Sequence, residues 1–249
     1  METQKKSAKR DAIIVGVTGR RRIVQGAIPF VEATTRELFR ALANAANAPI
    51  VVETGLAVGA DSIAARAAIE EREKHEKSRI RVRAVTPFPV EEYERDFNAE
   101  ELEAFRALLR ECDEIVELPT DSEAKRNRAR QYAALGEKLV EDSVILVSYW
   151  SGDVSVVKEG GTVDVTLAMQ RAIAEGKRAI SFSVRTPEIA RVIGDDGVKR
   201  RVPEPTDGAG ECALASEPAD RAPLVFRPAA QGIDELLRAL RKLETNERP

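Results

Sequence analysis

Along this chain, apolar runs of strand length alternate with amphipathic stretches of helix length. Runs rich in Val and Ile fall at residues 12–17, 49–53, 80–86, 114–118, 143–149 and 178–184. Near-continuous apolar runs of this length suit strands that are buried on both faces. Between them, residues 28–46, 61–74, 99–111, 126–142 and 162–175 carry apolar residues at helical spacing among charges, which predicts crossover helices. The alternation predicts an α/β fold, a doubly wound and mainly parallel sheet with helices on both faces. Beyond residue 184, Pro203, Pro205, Gly208, Gly210, Pro218, Pro223 and Pro228 crowd a region of little periodicity, which reads as loop with room for a hairpin. A last stripe, Ile233, Leu236, Leu237, Leu240 and Leu243, predicts a C-terminal helix that docks on the main domain or on a second copy. The predicted layout is a polar tail at 1–10, a main domain at 11–184, and a connector with its helix at 185–249.

Charge and composition narrow the classes. The formal net charge is -3, so no global field draws nucleic acid non-specifically. The first eleven residues hold no apolar leader segment, and no stretch reaches the ~18 uninterrupted apolar residues of a membrane span, so a soluble cytoplasmic protein without membrane contact is expected. Cys112 and Cys212 lie far apart without CxxC spacing, and the single histidine, His75, sits in the charged run EREKHEKSR as a solvated helix residue. These argue against a zinc site or a Cys-His nucleophile and for a reducing compartment. With no Walker lysine either, binding is expected to need no metal.

In open α/β sheets ligands collect beyond the carboxyl ends of the strands, where helix N-termini offer unpaired N–H groups. Three strand ends carry glycines there. The first opens into Gly16-Val17-Thr18-Gly19-Arg20-Arg21-Arg22, in which glycines let the backbone approach an anion and arginines add charge. The second opens into Thr54-Gly55-Leu56-Ala57-Val58-Gly59-Ala60-Asp61, where the backbone makes a cradle and Asp61 is either a ligand group or the cap of its own helix. The fifth leads through Trp150 to Glu159-Gly160-Gly161-Thr162; Thr162 caps a helix while the Gly160 and Gly161 amides point at a phosphate. Trp150 either stacks on a base or is a half-buried rim residue. Arg126 and Arg130, one helical turn apart, can aim two guanidiniums at a ligand phosphate.

Four stretches, GVTGRR at 16–21, TGLAVGADSIAARAAIE at 54–70, PFPVEEYERDF at 87–97 and EGGTVDVTLAMQRAIAEGK at 159–177, together resemble the SLOG superfamily. That superfamily groups Smf/DprA-type DNA-processing proteins, Lonely Guy-type phosphoribohydrolases and nucleotide-sensing domains. The first loop is similar to that of a bacterial subgroup reading GVTGHR, with Arg20 in place of the histidine. RNRARQYAALGEKLVEDSVILVSYWSG resembles a segment of the DNA-processing proteins. The resemblance spans residues 13–184 and implies a Rossmann-like fold, a nucleotide ligand at the Gly-rich loops, self-association, and in some relatives a place in defence signalling.

Three functions follow as expectations. The preferred one is a sensor or binding module for a nucleotide or nucleotide-derived signal. The second is N-glycosidic hydrolysis of a nucleotide, in the manner of Lonely Guy proteins. Their catalytic glutamate aligns with Val165, so the nearest helix carboxylate is Asp164, which serves as catalyst, as ribose ligand or as a first-turn acid favoured by the helix dipole. DNA binding through Lys125, Arg126, Arg128 and Arg130 ranks last, because Glu123 and Glu137 flank that cluster.

Overall fold

A computed structural model describes residues 12–74, 79–120, 127–193, 199–216 and 218–245. The polar tail, His75, Lys125 and Arg126 lie outside the described residues.

The first parallel unit is β1 (Ile13–Gly19), α1 (Ile28–Ala45), β2 (Ile50–Thr54), α2 (Ala60–Glu73) and β3 (Ile80–Thr86). A short α3 (Val90–Tyr93), then α4 (Ala99–Glu111), lead to β4 (Glu114–Glu117). The start of α4 is set by a capping box: Asn98 accepts from the Glu101 amide while the Glu101 carboxylate accepts from the Asn98 amide. Helix α5 (Arg128–Asp142), β5 (Ile145–Trp150), α6 (Thr162–Ala174) and β6 (Ile180–Arg185) complete the parallel part. The strand order is β4-β3-β2-β1-β5-β6, every pair parallel.

This is the doubly wound, Rossmann-like α/β sheet. Val15, Val17, Val52, Val147 and Phe182 join one apolar layer with α1, α2 and α4, while Val85 and Leu146 join a second with α5 and α6. The strands are therefore apolar on both faces, as their Val- and Ile-rich runs require.

The Pro-rich connector holds more order than its composition suggests. Strands β7 (Ile189–Ile193) and β8 (Lys199–Pro203) form an antiparallel hairpin apart from the main sheet. Strand β9 (Cys212–Leu214) then adds an antiparallel seventh strand beside β6, which no periodicity in three residues can announce. The C-terminal α7 (Ala229–Thr245) packs on β9, β6 and α1, burying Ile233, Leu236 and Leu240 in the core layer of α1. Of the two docking partners that the leucine stripe allows, it takes its own domain, so the stripe is no reason for subunits to join.

Candidate functional site

Strand β1 lies at the switch point of the sheet. The chain leaves it through α1 toward β2 on one side and returns through α5 to β5 on the other, so the helices on the two sides open a crevice beyond the carboxyl ends of β1 and β5. A cleft of about 540 Å³ occupies this place. Its walls are Thr18 to Arg22 at the end of β1 and just beyond it, Ala57 before α2 and Asp61 within it, and Tyr132, Leu135, Gly136 and Leu139 on α5. Lys158 to Thr162 and Val165 before and within α6, Tyr93 of α3, and Glu188 with Ile189 complete them. The backbone ties the parts together. The Ala60 N–H donates to Arg20 O (3.1 Å), and Ile189 N–H donates to Arg22 O (3.0 Å).

Asp61 dominates the floor. It is the second residue of α2 and is 8% exposed. Its carboxylate accepts from the backbone of Gly19 and Ala57 and from the Thr54 hydroxyl. Burial pushes its pKa up to about 7, against the opposing pull of the Arg21 charge and those three donors. Two of the amides that the sequence reading assigns to a ligand phosphate, one from each of the first two loops, thus converge on the protein's own carboxyl group. Gly59 makes this meeting possible: at φ 95° it lies so close to the first loop that a Cβ would stand 2.4 Å from Arg20 O.

The third loop is also internally bonded. Gly160 N–H donates to Asp164 Oδ2 (2.9 Å) and Gly161 N–H to Lys158 O (2.8 Å). Asp164 accordingly fixes the turn before α6, the structural one of the roles open to it, and it is not among the residues that line the cleft. The amides of Thr162 and Val163, in the first turn of α6, have no carbonyl a turn earlier in the helix to receive them, and with Lys158 they form the anion-attracting end of the cleft.

Opposite Asp61 stands a polar network in which the sequence reading gives a role to Arg21 and Arg128 but none to their partners. Arg21 Nη2 donates to the Tyr132 hydroxyl (3.0 Å), and that hydroxyl donates to Asp96. Arg128 binds Asp96 (2.6 Å) and Glu92 (2.9 Å) while lying 4.0 Å from the Phe88 ring centroid. Tyr93 donates to Gly55 O (3.1 Å). Burial raises the Tyr132 hydroxyl to about 12, so it stays a neutral donor. The signal available was the pair of tyrosines within PFPVEEYERDF and RNRARQY, quoted for resemblance but given no role.

Several expected site residues stand elsewhere. Gly16 is inside β1, where a Cβ would meet Ser143 Oγ at 2.1 Å, so its smallness serves packing. Thr54, Gly55 and Gly59 support Asp61 and its loop from behind the cleft wall. Trp150 is fully buried, its Nε1 donating to Ser183 Oγ (2.9 Å) in an apolar cluster with Val163 and Leu167, so it cannot stack on a base. It is the sixth residue of a strand whose every member is buried, which removes it from the rim. Arg130 is exposed and does not line the cleft, and Arg126, the other half of the expected pair, lies outside the described residues. The cleft's cations are instead Arg20, which pairs with Glu188 at 3.3 Å, together with Arg21, Arg22 and Lys158.

Among the described residues no helix is long and apolar enough to cross a membrane, and no group of three or more His, Cys, Asp or Glu is arranged to hold a metal ion. No family model and no curated protein matches the chain.

Proposed function

We propose that the cleft binds a nucleotide or nucleotide-derived signal and that the protein acts as a binding or sensing module. The observation that carries this is one open cleft at the switch point in which Arg20, Arg21, Arg22 and Lys158 meet the N-terminus of α6. Such an end favours a phosphate, and Leu135, Leu139 and Val165 offer an apolar wall for a base. The resemblance to the SLOG superfamily supports the same reading, because GVTGRR, TGLAVGAD and EGGT are the stretches that border the cleft. It also carries self-association and a cytoplasmic signalling role, in defence among others; the two free thiols, Cys112 and Cys212, suit a reducing compartment.

One observation favours a second reading, hydrolysis of an N-glycosidic bond. A carboxyl group does lie in the cleft, Asp61 rather than Asp164, and a pKa about 7 suits either an acid or an anion near neutrality. Mass spectrometry of small molecules released on denaturing the purified protein, followed by incubation with AMP, ADP, ATP and NAD, separates the two. Binding without turnover is the expected result, and release of a free base selects the hydrolase. If no nucleotide is retained and none of those added binds, the nucleotide reading is overturned.

A further inference from the structure

The first two loops build an anion receptor and then fill it. Asp61, 8% exposed at the second position of α2, lines the cleft together with Arg21; the Gly19 and Ala57 amides and the Thr54 hydroxyl converge on it, and Arg21 answers its charge from the loop after β1. The other titratable groups whose fields reach Asp61 are Tyr93 from α3 and Tyr149 from β5, with Tyr132 of α5 behind Arg21. Burial raises all three phenols, so they are neutral at pH 7 and Arg21 is the charge that acts most on Asp61.

An anion that enters and takes Arg21 meets this carboxylate as a like charge. It also draws away the guanidinium that favours the ionised form, and both effects load a proton onto Asp61. A neutral Asp61 can keep its two amides on the carbonyl oxygen and turn its O–H toward the ligand.

Resting on the reading that the cleft takes a nucleotide, we propose that Asp61 binds the ligand's phosphate as a neutral acid, its O–H donating to a phosphate oxygen, so that the nucleotide enters together with one proton. The supporting electrostatics are already poised, since burial raises the Asp61 carboxyl to about 7. Linkage then requires the affinity to fall about tenfold per pH unit above that point, and proton uptake at pH 8 to approach ~1 per ligand. Asn at this position is a permanent mimic of the neutral acid.

The test is calorimetric titration of the full chain with ADP and with NAD at pH 6 to 9, in buffers of different ionisation enthalpy. Wild type should take up about one proton more than Asp61→Asn at pH 8, and the variant should hold its affinity across the range. The ligand's own titration cancels in that difference. Infrared difference spectra of the wild type read the same event without a variant, as a protonated-carboxyl band that appears with ligand. Binding with equal proton uptake in both proteins, or no such band, overturns the proposal while leaving the nucleotide reading intact. No binding of either probe to either protein overturns both.

Discussion

Because Asp61 loses most of its contact with water on folding, the folded chain holds its proton more tightly than the unfolded one. The ordinary carboxyl pKa is 3.8 and the folded value about 7. A raised folded pKa contributes stability that is fully present below the unfolded value and lost as pH rises through the folded one. Over this window, from about pH 4 to 7, the loss is on the order of 4 kcal/mol. Asp61→Asn removes that slope, so the variant should gain on wild type in urea unfolding as pH goes from 5 to 8. A stability difference that is the same at both pH values would contradict it. Gly59 gives a second residue-scale expectation. Gly59→Ala forces a side chain onto φ 95° and against Arg20 O, so a cost of about 1–3 kcal/mol in chemical denaturation is expected. Single residues also mark the limit of sequence reading. The glycines at strand ends could be found because few other residues allow such close approach. Tyr93 and Tyr132 could not, because on short or amphipathic helices they look like ordinary core positions, and Arg128 could be read only as one of a basic cluster; the packing of α3 against α5 is what makes the three one network.

At the scale of elements, periodicity worked where an element buries its own face. Strand β3 and helix α4 have the bounds that the apolar pattern predicts, and the other five predicted strands and four predicted helices begin and end within two residues of the pattern. The C-terminal stripe was visible too, but its partner was not, since an apolar face does not say what covers it. With Ile233, Leu236 and Leu240 in the α1 core, Leu236→Ala should lower stability by about 2–5 kcal/mol, read by denaturant midpoint. Removal of everything beyond residue 231 should yield an aggregated chain; a smaller, monodisperse, folded species in light scattering would argue that α7 is dispensable. Trp150 makes a complementary case. Trp150→Phe loses its bond to Ser183 and leaves a void, for a loss of about 1–3 kcal/mol, yet nucleotide affinity should not change. A weaker affinity in calorimetry would return Trp150 to the site.

For the whole molecule, the sheet order brings β1, β5, α2, α5 and α6 to one edge, and the cleft follows from topology as much as from any motif. What composition could not convey is that the Pro-rich tail closes the same body. Thr34 in α1 donates to Gly210 O (2.9 Å), and the Asn47 side-chain amide just after α1 donates to Glu244 (2.8 Å), contacts that span 176 and 197 residues. Such separation has a consequence in time. Helix α1 is complete at residue 45, while the helix that covers it is complete only at residue 245. At roughly 5–20 residues per second a ribosome needs about 10–40 s to cross that interval, and through all of it the face of α1 that meets α7 stays uncovered. A nascent chain arrested near residue 228 should therefore be cut by protease within α1, whereas one released after residue 245 resists. During synthesis that face of α1 waits for the last described helix to shelter it.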